Sequence, residues 1–102
     1  MDDKTRGEIE HMIDEIKDNI SSYDEDIKWV FYDYEDNPQL DFIMPIKSKS
    51  DFLLGYYLGR IYVQAWNIMA KNNWDPSLEE LEIIVKNRLP ELVKQISLCL
   101  GI

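Results

Sequence analysis

The stretch that most constrains the fold is Phe52–Ala70, which has nineteen residues and a single charged side chain, Arg60. An arginine at the centre of a bilayer costs about 2.5–3.5 kcal/mol on insertion scales, and two glycines weaken the stretch further as a membrane span. The sequence therefore predicts a central helix buried in the protein, from Ser48 to about Asn73. Its apolar residues surround nearly the whole helix, which favours burial on all sides with help from a second subunit.

Two further features of this segment indicate close packing. Gly55 and Gly59 lie four residues apart, so they share a helix face that another backbone can approach closely. Four of the aromatic residues along the same segment are predicted to fill the core or a dimer interface, or to line a ligand pocket: Tyr56, Tyr57, Tyr62 and Trp66.

Length and charge set the broad class. A chain of 102 residues can bury one core, so we expect a single domain over residues 1–102. Residues 1–51 hold 15 acidic and six basic side chains, whereas residues 52–102 hold five of each, so the net charge of −9 lies in the first half. A field of that sign repels phosphate backbones and anionic lipid. The sequence therefore predicts no direct nucleic-acid or membrane binding and favours cationic partners.

The first half contains a helical pattern followed by an alternating one. Residues 4–21 predict an amphipathic helix whose apolar face comprises Ile9, Met12, Ile13, Ile16 and Ile20. A row of like charges on another side of it, Glu10, Asp14 and Asp18, is predicted to be solvated. Residues 27–34 and 40–46 have the pattern of two strands joined by a turn at residues 35–38, which predicts a β-hairpin with an acidic tip.

The residues after the central helix predict further helices. Ser77 is placed to cap a helix whose buried face comprises Leu78, Leu81, Ile84 and Val85. Pro90 is expected to break that helix, so a separate last helix is predicted from Pro90 to Leu98, with Gly101 beyond its end. The predicted fold class is α+β, with an N-terminal amphipathic helix, the β-hairpin, and a C-terminal group of two or three helices around the long apolar one.

Catalytic and metal-binding patterns are incomplete in this sequence. Glu8 and His11 have the spacing of a di-iron ligand pair, but the chain has one such pair and one histidine. The acidic turn beginning at Asp33 fails as a calcium loop, because the glycine and glutamate that it needs are Pro38 and Met44. The sequence also lacks a nucleophile elbow and a phosphate loop. We therefore expect no enzyme activity, no cofactor and no structural metal, and keep a carboxylate-based enzyme as a third hypothesis.

The segment at residues 24–36 interleaves acidic and aromatic side chains. Tyrosine anchors are enriched at interfaces, and surrounding carboxylates steer a basic partner. The competing interpretation is that the aromatic residues fill the core while the acids keep an edge strand from aggregating. The residues predicted to bind a partner are Asp24, Glu25, Asp26, Tyr32, Asp33, Tyr34, Glu35 and Asp36.

These features predict a non-catalytic acidic protein-interaction module, an inhibitor or adaptor that docks on a basic protein surface. Such basic surfaces include those of proteins that ordinarily bind nucleic acid. On a surface of that kind, the carboxylates of this chain would mimic the phosphates. The alternative is a homo-oligomeric protein that binds a small ligand or metal through the aromatic central helix and Glu8/His11. The hairpin and the apolar helix also predict a homodimer or other homo-oligomer. Because Cys99 is the single cysteine and the N-terminus lacks a signal-peptide pattern, we expect a cytoplasmic protein.

Overall fold

The computed structural model describes residues 1–20, 48–72 and 78–101, of which 93% are helical. These residues form three helices: α1 (Asp3–Ile20), α2 (Lys49–Lys71) and α3 (Leu78–Leu100). No strand occurs among them, so the predicted α+β class is wrong and this part of the chain is all helical. Three amphipathic helices can bury their apolar stripes against one another without a sheet. The hairpin predicted within residues 27–46 lies outside the described residues.

Helix α1 confirms the amphipathic prediction. The Thr5 backbone N–H donates a hydrogen bond to Asp2 Oδ1 at 2.7 Å, which satisfies one of the free donors at the helix start. All five predicted core residues are buried, and none is more than 5% exposed. Full burial of an apolar side chain of this size stabilises a fold by roughly 1.5–3 kcal/mol, so this stripe holds α1 in the bundle.

Helix α2 begins at the predicted cap, where Ser48 Oγ accepts a hydrogen bond from the Asp51 backbone N–H at 3.2 Å. Its buried residues recur at every fourth position: Leu53, Tyr57, Ile61, Ala65 and Met69. Within one chain the helix is not buried on all sides, because Val63 is 63% exposed and Trp66 is 48% exposed, and the predicted cover by a second subunit stays a prediction. One buried residue per turn is enough to dock the helix, and the opposite side faces solvent.

Gly55 and Gly59 both lie on the exposed side of α2. Among the described residues, no atom comes within 4 Å of a Cβ built on either glycine. The close approach of another backbone that their spacing predicts is therefore not made by α1 or α3.

Helix α3 is one continuous helix, so the break predicted at Pro90 is wrong. Proline removes the N–H that would bond to the Lys86 carbonyl, but both residues are exposed and water can solvate that carbonyl. Val85 and Leu92 are buried on either side of the proline. Tertiary packing of both halves on one core thus overrides the local preference for a break.

The buried face of α3 partly matches the prediction. Leu81, Ile84 and Val85 are buried as expected, whereas Leu78, the first residue of the helix, is 51% exposed. Leu92 and Ile96 extend the same stripe beyond the proline.

Each of the three helices contacts the other two around a shared apolar core. Cys99 is half-buried and packs against that core, which is the usual behaviour of a free cysteine as a small apolar side chain. Within the described ranges, no helix combines the length and apolar character needed to span a membrane.

Candidate functional site

Helix α1 directs a group of carboxylates away from the core. Asp14 and Asp18 lie four residues apart and Glu15 lies beside them, and all three are exposed. We call these three residues the acidic face. Lys17 is the one basic residue in the last turn of α1. Asp18 lies in that same turn, at the negative end of the helix dipole, where an acidic side chain costs about 0.3–1 kcal/mol.

Arg88 of α3 neutralises part of the charge on α1. Its guanidinium, whose side chain is 13% exposed, donates to Glu10 Oε2 at 2.5 Å, to Asp14 Oδ1, and to Glu91 Oε2 at 2.6 Å. We call these four residues the Arg88 cluster. Partial burial alone would lower the pKa of Arg88, but hydrogen bonds to the three carboxylates outweigh it and raise that pKa. The same hydrogen bonds hold the pKa of Asp14 and Glu91 below their usual values, so these two carboxylates are ionised at neutral pH.

The Arg88 cluster changes the interpretation of the predicted like-charge row. Of Glu10, Asp14 and Asp18, the first two are engaged by Arg88, so the row is not simply solvated. Sequence reasoning missed this contact, although a signal was present. Arg88 falls between Val85 and Leu92 on the buried stripe of α3, and a charged residue at such a position requires charged partners. The acids of α1 supply them.

Glu8 and His11 line a shallow groove of about 420 Å³ between α1 and α2. Asn72 Nδ2 donates to Glu8 at 3.1 Å, and this bond, with Lys71 Nζ 3.4 Å from the same carboxylate, lowers the pKa of Glu8. His11 Nε2 lies 3.1 Å from Glu15 Oε1. Within the described part of the chain, no group of three potential ligands is placed to hold a metal ion. Both residues of the predicted pair contact other side chains of the protein in this groove.

The four aromatic residues of α2 considered for a pocket, Tyr56, Tyr57, Tyr62 and Trp66, lie on different sides of the helix. Tyr57 is 1% exposed and belongs to the core, and its ring makes an edge contact with Tyr56 at 5.2 Å between centroids. The Arg60 guanidinium lies 5.8 Å from the centre of the Tyr56 ring. Tyr62 and Trp66 are instead 39% and 48% exposed. The four rings therefore do not line one pocket.

The exposed side of α2 carries no charge over most of its length. Between Asp51 and Lys71, every exposed residue is uncharged, and six of them recur at spacings of four, three, one, three and four. These spacings place them on one side of a helix. We call this surface the α2 outer face: Gly55, Gly59, Tyr62, Val63, Trp66 and Ala70. A contiguous apolar surface of this kind is typical of an interaction site.

The eight residues predicted to bind a partner all lie outside the described residues: Asp24, Glu25, Asp26, Tyr32, Asp33, Tyr34, Glu35 and Asp36. Their predicted role is untested. Helix α1 ends at Ile20, so the acidic face directly precedes this acid-rich segment along the chain.

Comparisons with protein-family models, with curated proteins and with solved structures found no match to this chain. The two surfaces defined above, the acidic face of α1 and the α2 outer face, are therefore the candidate sites of function.

Proposed function

We propose that this chain is a non-catalytic protein-interaction module that docks on a basic protein surface through the acidic face and the acid-rich segment after it. The observation that carries the proposal is the placement of Asp14, Glu15 and Asp18 on the solvent side of α1, towards its C-terminal end. Asp18 lies there at the negative end of the helix dipole, so the dipole of α1 does not favour an acidic residue at this position.

The sequence extends this charge well beyond α1. Residues 14–36 hold nine acidic and two basic side chains. Clustered charge raises the rate of encounter with a surface of opposite sign, over distances of about one Debye length, roughly 8–10 Å at physiological salt. Because phosphates attract the same basic surfaces, the partner class includes proteins that ordinarily bind nucleic acid, and Tyr32 and Tyr34 are the proposed anchors. A reducing, cytoplasmic compartment belongs to this proposal, since Cys99 is the single cysteine and forms no disulfide.

The test compares charge reversal at two places on the protein. Proteins captured from source cells by the parent chain at low salt are immobilised, and their association with variants is followed kinetically. The variant Glu15→Lys/Asp18→Lys reverses two acids near the end of α1, and Glu79→Lys/Glu82→Lys reverses two exposed acids at the start of α3. Both variants change the net charge by the same amount. We expect the first to lower the association rate about tenfold or more and the second to change it little, because steering depends on where charge lies.

Two comparisons make the result interpretable. Poly-L-lysine serves as a non-specific cationic probe, and the captured partner must bind the parent more tightly than poly-L-lysine does. Thermal melts of both variants report folding; through the helix dipoles, Asp18→Lys should stabilise α1 and Glu79→Lys should destabilise α3, by about 0.3–1 kcal/mol per charge. Equal loss of binding in both variants would mean that only net charge matters, and no loss in either would reduce the acidic face to a solubility device.

The alternative function, binding of a small ligand or metal, is supported by the groove that Glu8 and His11 share. A metal ion there would compete with Asn72 for the Glu8 carboxylate. Calorimetric titration with Zn²⁺ tests it: one-site binding that His11→Ala abolishes would support the alternative, and heats that are identical in the parent and His11→Ala would exclude it.

A further inference from the structure

The α2 outer face has two unlike halves. In its first half, Gly55 and Gly59 leave open space, since no described atom outside their chain neighbours and the backbone of α2 lies within 4 Å of a Cβ built at either position. In its second half, Val63 is 63% exposed and Trp66 is 48% exposed, so two apolar side chains project from the helix. Gly59 and Val63 are equally distant along the chain from residue 61. One half is thus a hollow and the other a projection on the same face.

We propose that the α2 outer face binds a second copy of this chain, with the two α2 helices antiparallel about a two-fold axis at the level of Ile61. Such an axis brings Val63 of each copy opposite Gly59 of the other, and Trp66 opposite the region of Gly55. Two-fold contacts require a surface that is complementary to itself, and a face made of a hollow and a projection meets that requirement. Glycines allow the helices to approach closely because they carry no Cβ.

The absence of charge on the α2 outer face favours a second copy over a charged partner there. The chain has a net charge of −9, so two copies repel each other across most orientations. The α2 outer face itself bears no charged residue, and pairing across it brings no carboxylates of that face together. A basic partner gains nothing at this face, since its attraction is to the acids of α1. The dimer contact is therefore independent of the docking function proposed above.

The size of the face sets the expected strength of the dimer. The exposed parts of Tyr62, Val63 and Trp66 amount to about 300 Å² per copy, compared with roughly 800 Å² per partner in a standard stable interface. The neighbouring small residues add to this area without reaching that standard. We therefore expect a weak dimer that dissociates on dilution.

Sedimentation equilibrium of the full chain over roughly 1 μM to 1 mM tests the dimer. The mass is expected to rise from 12.1 kDa towards twice that value. Gly59→Glu places a carboxylate in the hollow and should raise the dissociation constant at least tenfold. Ile83→Glu places the same side chain on α3, where Ile83 is 58% exposed. This control should change the dissociation constant by less than about twofold. Gly59→Glu should melt no lower than the parent, because the site is open and glutamate favours helix more than glycine does.

Cysteine cross-linking tests the orientation. In a Cys99→Ser background, Tyr62→Cys lies one residue from the axis level, so the two cysteines are displaced by only about 3 Å along the helices. Ala70→Cys lies nine residues from it, a displacement of about 27 Å, which a disulfide cannot bridge. Of these two variants, we expect only Tyr62→Cys to form a disulfide-linked dimer on oxidation. A monomer at every concentration, parent-like dimerisation of Gly59→Glu, or equal cross-linking at both positions would overturn the proposal.

Discussion

Replacing Arg88 with alanine removes the only side chain of the Arg88 cluster that joins α3 to α1. The guanidinium reaches Glu10 and Asp14 on α1, and Glu91 on its own helix. Hydrogen bonds to charged groups contribute about 1.5–3 kcal/mol when well formed, whereas exposed ion pairs contribute about 0.2–1 kcal/mol. The three carboxylate side chains are 38%, 52% and 49% exposed, so solvent screens each contact. After that discount we expect a total loss of about 2 kcal/mol.

Thermal unfolding followed by far-ultraviolet circular dichroism measures this loss. For a domain of this size, about 2 kcal/mol lowers the Tm by roughly 8–16 °C. Arg88→Lys should lose about half as much, because an ammonium cannot reproduce the forked geometry of a guanidinium. Lys86→Ala, an exposed charge removed two residues away, should change stability by about 0.5 kcal/mol or less. If Arg88→Ala has the same Tm as Lys86→Ala, the Arg88 cluster does not stabilise the bundle as proposed.

The same cluster has a predicted acid signature. Hydrogen bonds from Arg88 lower the folded-state pKa of Asp14 and Glu91 below their usual values of 3.8 and 4.5. Their contribution is therefore complete above the unfolded pKa values and is lost as pH falls through the lower folded values. The Tm difference between the parent and Arg88→Ala should be constant from about pH 7 to 5 and should shrink below about pH 4.

Other substitutions test the remaining structural assignments. Ile13→Ala, at a fully buried position of α1, should cost about 3 kcal/mol by urea unfolding, and a loss below about 1 kcal/mol would contradict its place in the core. Ser48→Ala removes the cap of α2 and should lower the urea midpoint by the equivalent of about 1 kcal/mol, whereas Ser48→Asp should not. Pro90→Ala restores an N–H to α3 and should raise stability by about 1 kcal/mol or more, measured as a higher Tm; a lower Tm would show that the proline stabilises the helix.

The sequence predicted the helices where spacing alone decides which side is buried. All five residues assigned to the core of α1 are buried, and α2 begins at the predicted Ser48 cap. In α2 the spacing was uninformative, because apolar residues occupy nearly every position from Phe52 to Ala70. Only the packing of α1 and α3 against one side decides that Tyr57 is buried and Trp66 is half exposed.

Contacts between distant parts of the chain were beyond prediction from local patterns. Arg88 lies 78 residues from Glu10 and 74 residues from Asp14 along the chain, so their proximity is a property of the bundle. The continuity of α3 through Pro90 has the same origin, since buried residues on both sides hold the two halves in line. The exposed carboxylates of the acidic face, by contrast, could be placed from helical spacing alone.

Pro90 also has a consequence for how the bundle unfolds. It removes the hydrogen bond to the Lys86 carbonyl near the middle of the 23-residue helix α3. A proline in a helix interior costs about 3 kcal/mol, so an isolated α3 would be weakened at its centre. We therefore expect α3 to depend on its docked apolar stripe to remain helical, and its helicity and tertiary packing to be lost in one transition. A separate helical α3, with that stripe open to aggregation, is then not expected to accumulate on unfolding.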